Sequence, residues 1–232
     1  MSSSRRQNEY RAIRCKRGCG QRSPIMDFMN TQMHWEKVYG TKAPDQVSWF
    51  RPHLETSLSF IERSAPNRSA RVIDVGGGES TLVDDLLERG YANLTVLDIS
   101  QTATDVTKAR LGRVADRVEW LVTDVTSTDL PENAWNVWHD RAVFHFLTTA
   151  PDRVSYVERV KKSVKPGGHV IIGTFGPEGP TKCSGLNVQR YEADSLHREF
   201  GRRFRLIDSI KELHQTPFGA TQQFRYCFCV VE

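Results

Sequence analysis

The stretch Val72-Ile73-Asp74-Val75-Gly76-Gly77-Gly78-Glu79-Ser80 decides the fold of this chain. Three β-forming residues flank an acid and run into three consecutive glycines, after which Ser80 or Thr81 can cap a helix running to Gly90. Strand, glycine loop and helix in that order form a cradle for a nucleotide-containing ligand. Asp74 refines the reading. A carboxylate at the strand end, two positions before the first glycine, repels the pyrophosphate of a dinucleotide and suits a ligand carrying ammonium and sulfonium charges.

Outward from this loop the pattern alternates. Strands are expected at 71 to 75, 94 to 98, 118 to 122, 135 to 139 and 169 to 175, with helices at 80 to 89, 101 to 111 and 152 to 164. In the last of these helices Val154, Val157, Val160 and Val164 share a face, and Pro166-Gly167-Gly168 stops it. Two helices, 28 to 39 and 52 to 63, precede the first strand. After a helix at 192 to 200, the strand-like segments 203 to 212 and 222 to 231 are joined by a turn at 213 to 221, too short for a parallel crossover, so they form an antiparallel hairpin. The expected class is α/β: a Rossmann-like, seven-stranded, mostly parallel sheet with an antiparallel last strand and helices on both faces.

Open parallel sheets bind ligands beyond the carboxyl ends of their strands. Asp98 ends the second strand, 24 positions after Asp74, where an acid accepts hydrogen bonds from a ribose diol; as a bare strand-end residue it would instead cap the next helix. Asp124, after the third strand, can accept an exocyclic adenine amine while Val125 covers the ring. A nicotinamide (NAD)-dependent oxidoreductase uses the same sheet and the same ribose acid, but its G-x-G-x-x-G loop wants glycine where this chain has Thr81.

The series DVGGG, LDIS, VTDV, WHDRAVFHFL and VKPGGHVII, within residues 72 to 175, resembles the motifs of class I S-adenosylmethionine-dependent methyltransferases, with Ser80 in place of the last glycine of D-x-G-x-G-x-G. The resemblance implies S-adenosylmethionine as cofactor, held by Asp74, Gly76, Gly77, Gly78, Asp98, Ile99, Asp124, Val125 and His139. HWEKVYG and WHDRAVFHF are similar to segments of thiopurine-type methyltransferases, which act on small molecules. The opening WEKVYG with a later SWF also resembles small lysine methyltransferases, whose D-K-G-T type segment is here HDRAVFHF. The expected acceptor is therefore a small molecule, with a protein lysine side chain as the alternative and cofactor binding without catalysis as a third reading. Trp35, Tyr39 and Trp49 either pack over the methionine half of the cofactor, where aromatic faces favour a sulfonium, or anchor the N-terminal helices.

Methyl transfer from a sulfonium is an in-line displacement, so the protein chiefly positions the nucleophile and excludes water. If a base assists, His145, Tyr191 and His214 are the candidates. Tyr191 follows the Gly- and Pro-rich segment GPEGPTKCSGLNVQR, which can close as a lid. Arg141 either holds an anionic group of the substrate or pairs with Asp140. His214 and Gln222 border the pocket from the hairpin turn.

Composition bounds the rest. The 232 residues suit one domain, and 38% hydrophobic with 26% charged is ordinary for a globular protein. Residues 1 to 25 hold seven Lys or Arg and one Glu, a net +6 of the chain's +4, which leaves the remainder at about −2 and removes the compositional case for nucleic acid. This segment is expected to be a disordered basic tail, with a transit peptide or a downstream start at Met26 as other readings, and residues 26 to 232 the folded domain. No secretory or membrane-spanning run is present, five cysteines offer no zinc spacing, and a cytoplasmic enzyme without a metal is expected.

Overall fold

The computed structural model describes residues 24 to 232. The expected tail therefore lies outside the described residues up to position 23, while Pro24 and Ile25 belong to a helix.

That helix, α1 (Pro24–Thr41), is followed by α2 (Glu55–Ser64) and then by the alternating units β1 (Arg71–Val75), α3 (Leu82–Glu88), β2 (Asn93–Asp98), α4 (Gln101–Leu111), β3 (Val118–Val122), β4 (Trp135–Arg141), α5 (Ala150–Ser163) and β5 (Val164–Phe175). A small hairpin, β6 (Lys182–Cys183) and β7 (Leu186–Asn187), precedes α6 (Ala193–Phe200), β8 (Phe204–Gln215) and β9 (Thr221–Val231). The seven-stranded sheet has the order β3-β2-β1-β4-β5-β9-β8. β9 alone is antiparallel to its neighbours, and it lies between β5 and the edge strand β8. The fold class is the one expected.

Both faces of the sheet are covered, and the two-residue period of the strands divides the core between them. Ile73, Leu97, Trp138 and Ile172 point into a layer completed by α5 and α6, whereas Val72, Val96, Val137 and Ile171 point into a layer completed by α2 and α3. On α5, Val157 and Val160 are buried but Val154 is exposed, so the apolar face expected there is shorter by one turn. The helix ends at Ser163, and Val164 already belongs to β5, which takes in Pro166 to Gly168 across an irregular register with β4. Cys227 and Cys229 are buried on one face of β9 as small core residues, their sulfurs 3.3 Å apart. Among the described residues no helix is long and apolar enough to cross a membrane.

The expected hairpin turn at 213 to 221 is shorter than that. β8 runs on to Gln215, and the turn closes where Thr216 and Ala220 exchange hydrogen bonds around Gly219. Between β5 and α6, the segment expected to be a loose lid folds back on itself as β6 and β7.

Candidate active site

The carboxyl ends of β1 to β4 open into a cavity of about 780 Å³, covered by α1 and the segment after it. A side pocket of about 40 Å³ adjoins it, with Tyr39, Trp49, Gly76 and Arg141 lining both.

The glycine loop is shaped as much by the protein's own carboxylates as by any ligand. A Cβ on Gly77 would stand 2.6 Å from Asp74 Oδ2, and one on Gly78 would stand 2.7 Å from Asp98 Oδ2. Gly76 has φ +71° and a Cβ there would meet Val143 at 2.0 Å, so only glycine serves. Gly76 lines the cavity, and Gly77 and Gly78 are buried beneath it.

Asp98 closes β2 and lines the cavity. Burial pushes its carboxyl up to about 7, opposed by hydrogen bonds from the Ser100 and Gly78 N–H groups and reinforced by nearby Asp74. Ile99 follows it on the wall, as do Asp124 and Val125 after β3. Asp124 Oδ1 is taken by the Thr126 N–H and hydroxyl, both at 2.7 Å.

Asp74 stands differently from expectation. It lines the side pocket, and its Oδ1 is 2.7 Å from His139 Nδ1, whose Nε2 is 2.8 Å from Ser57 Oγ. The spacing is that of a nucleophilic Ser-His-Asp triad, yet Ser57 and His139 are buried and Ser57 lines neither cavity, so the three act as a strut from α2 to the sheet. The unpartnered acid is instead Glu79, 6% exposed, with no hydrogen-bond partner on either oxygen. Burial and the Asp98 charge push it up to about 7 against the pull of Arg110.

Trp35, Tyr39 and Trp49 meet over the main cavity, with Trp35 5.1 Å from the ring of Phe146, 5.9 Å from Tyr39 and 6.0 Å from Trp49. They are at once cavity wall and helix anchor. Burial, with the carboxylates of Asp98 and Glu79 beside it, pushes the Tyr39 hydroxyl well up, so it stays neutral. What holds α1 in place escaped the sequence reading. Glu36 accepts hydrogen bonds from the N–H groups of Gln101 (2.6 Å) and Thr102 (3.1 Å) and from the Ser100 hydroxyl (3.1 Å), capping α4 from outside, and Gln32 Nε2 donates to the Ile99 carbonyl at 3.2 Å. Burial works against the Glu36 charge, but these hydrogen bonds outweigh it and leave its carboxyl lowered. Carboxylates favour helix N-termini for this reason, but a capping residue 65 positions away leaves no local signal.

The residues proposed for proton transfer and substrate binding lie elsewhere. His145 is wholly buried, accepts the Phe175 N–H at Nδ1 and is pushed down to about 3 by burial and by Arg141. Tyr191 is buried against Phe144 and donates to Glu199, its hydroxyl raised by burial and that carboxylate. His214 lies in β8 and not in a turn; it is buried and donates to the Ser48 carbonyl at 2.7 Å. None of the three lines either cavity, and neither does Gln222. Arg141 does line both, but its guanidinium donates to Tyr226 and the Trp49 carbonyl, lies 3.6 Å from Glu212 and covers the Phe224 ring. It is not paired with Asp140, which accepts from Tyr156, Val143 and Phe144.

Comparison with known proteins agrees with this architecture. Residues 72–168 match the methyltransferase domain family. Human EEF1A lysine methyltransferase 2 is 21% identical over 204 residues, covering 80% of this chain and 79% of that protein. The ubiquinone biosynthesis O-methyltransferase of Alkalilimnicola ehrlichii is 34% identical over 105 residues, 45% of this chain and 41% of its own, and the mouse eEF1A lysine and N-terminal methyltransferase is 23% identical over 138 residues, 60% of this chain. The chain thus spans only 19% of the mouse protein's length. Among solved structures, the Burkholderia thailandensis 1,6-didemethyltoxoflavin-N1-methyltransferase superposes with a TM-score of 0.63 at 17% identity, covering 93% of each chain. A protein described for conversion of a disulfide bond into a thioacetal group during echinomycin biosynthesis gives 0.69 at 16%, covering 87% and 92%. With a glycine loop, a strand-end acid and an aromatic cover around one cavity in this sheet order, the chain resembles S-adenosylmethionine-dependent methyltransferases, and its residues 72–168 match their methyltransferase domain.

Proposed function

We propose that the chain moves a methyl group from S-adenosylmethionine to a small-molecule acceptor by in-line displacement. The observation that carries this is the main cavity itself: its lining combines the acids Asp98 and Asp124 with the apolar side chains of Trp35, Phe146, Leu147 and Leu186 and the amide of Asn187. Such a wall grips a compact, largely apolar molecule and excludes water. When bound, the cofactor supplies an activated methyl on a sulfonium. In this reading Asp98 accepts from the ribose diol, Ile99 and Val125 flank the base, and Asp124 accepts from its amine. Trp35, Tyr39 and Trp49 face the positive sulfur and keep the reacting atoms dry.

Neither His145 nor Tyr191 enters the proposal, because neither reaches the cavity. Acceleration comes from holding the acceptor in line and from desolvation, with the acceptor's proton given up to solvent either before it binds or after the methyl group has moved. The match to the human lysine methyltransferase over four-fifths of the chain favours a second reading, a protein lysine as acceptor. Free thiols at Cys183, Cys227 and Cys229 support a cytoplasmic setting.

Incubation with tritiated cofactor and a size-fractionated extract separates the readings. Label in the low-mass fraction supports the small-molecule acceptor. Label on a protein band supports lysine, and no transfer from a protein that binds S-adenosylhomocysteine would overturn both.

A further inference from the structure

The side pocket carries charges of both signs, and Glu79 is the one charged side chain in its lining with neither a hydrogen bond nor an ion pair among the described residues. Asp74 is bound to His139. Arg51 pairs with Glu55 at 3.3 Å and with Glu212 at 3.4 Å, and Arg141 is held by Tyr226, Trp49 and Glu212. Glu79 alone remains, more than nine-tenths buried, lining the pocket, with neither oxygen partnered. A buried carboxylate without donors is costly, and the cost falls when a cation with several N–H groups arrives.

Size and position narrow what that cation is. About 40 Å³ admits a water or one small polar head, and the pocket shares Tyr39 and Gly76 with the main cavity, whose lining includes the acids that hold the adenosine half in the proposed reading. Arg51, held by its pairs with Glu55 and Glu212, and Ser80 line the same pocket, so the carboxylate end of a zwitterion also finds donors there. The geometry points to Glu79 as the receptor for the α-ammonium group of the cofactor's amino-acid end, the role that the sequence assigns to Asp74. Asp74 lines the same pocket but has Oδ1 bound to His139, which it orients. This inference rests on the cofactor reading and adds to it a residue that selects for an intact amino acid on the ligand.

The test is calorimetric titration of the full chain with S-adenosylhomocysteine and with its desamino analogue, which keeps the carboxylate and lacks the ammonium. The wild-type chain is expected to prefer the amino form by about 30-fold, the range of a charge-assisted hydrogen bond. In Glu79→Gln that preference should fall to within about 3-fold, with affinity for the desamino analogue unchanged, which a general loss of structure would not give. A preference that survives in Glu79→Gln overturns the inference and leaves the cofactor reading intact, whereas a wild-type chain that binds neither compound overturns both. Should Glu79→Gln not fold, the wild-type chain titrated at pH 7 in buffers of different ionisation heat decides. Proton release with the amino form only supports the inference, and equal proton counts overturn it.

Discussion

Arg141, the last residue of β4, donates from Nη1 to the backbone carbonyl of Trp49 at 3.0 Å, so a side chain on the sheet holds in place the loop that roofs the cavity. Sequence reading offered it as a substrate anchor, and its position at the strand end invited that. Its partners make it a latch between roof and floor.

Arg141→Ala should destabilise the protein by about 3 kcal/mol, because it strips a buried cation from Glu212 and leaves the Trp49 carbonyl without its donor. Urea unfolding checks this. Affinity for S-adenosylhomocysteine should fall at the same time as the Trp49 segment loosens, and a variant of unchanged stability would mean that the latch contributes nothing.

Tyr191→Phe removes only a hydrogen bond to Glu199 at a site away from the cavity. Turnover should stay within about 2-fold of wild type, the expectation for a group that does not touch the reacting atoms. Likewise His145, held near 3, stays neutral from pH 5 to pH 9. A pH-rate profile whose acid limb near 6.5 disappears in a His145→Asn variant would contradict this placement.

The acids of the cavity floor give the free protein a distinctive pH response. Glu79 and Asp98 are raised to about 7 and Asp140 to about 6, chiefly by burial. A carboxyl whose folded value lies above its unfolded value near 4 binds its proton more tightly when folded, so each of these groups favours the fold at low pH and loses that contribution as pH rises through 6 to 7. Thermal midpoints should therefore fall between pH 5.5 and pH 8 on this account. Glu79→Gln should raise the midpoint at pH 8 by roughly 2–4 °C, with the difference shrinking as pH falls and vanishing below the unfolded value near 4.

Glu36→Gln keeps the shape of the side chain and removes the charge that caps α4. The expected cost is about 1 kcal/mol of stability, together with faster dissociation of S-adenosylhomocysteine measured by stopped flow, because α1 is then held less firmly over Ile99.

Much of this was legible in the chain because the informative signals are local. Short β-forming runs such as Val72-Ile73 and Leu94 to Leu97, glycines at 76 to 78 and the short link before β9 each fix an element or a connection from its own residues. Asp98, Ile99, Asp124, Val125 and the three aromatics fell on the cavity wall for the same reason, since a strand's carboxyl end can be located from the strand. What could not be read was the choice among partners far apart in sequence. Whether Asp74 faces a ligand or His139, whether Arg141 meets Asp140 or Glu212, and whether His214 lies in a turn or a strand all depend on contacts set by packing. Glu79 was passed over because nothing in GGGES distinguishes a buried acid from a solvated one.

The attachment of α1 has a kinetic corollary. Beside the packing of Trp35 on Phe146 and Trp49, one carboxylate and one amide tie this helix to the wall that carries Asp98 and Ile99, so loosening Glu36 from α4 is expected to speed the passage of a ligand into and out of the cavity. Ligand dwell time is then expected to respond to a side chain that lines neither cavity, so residue 36 can change how long a ligand stays without changing the surface that selects it.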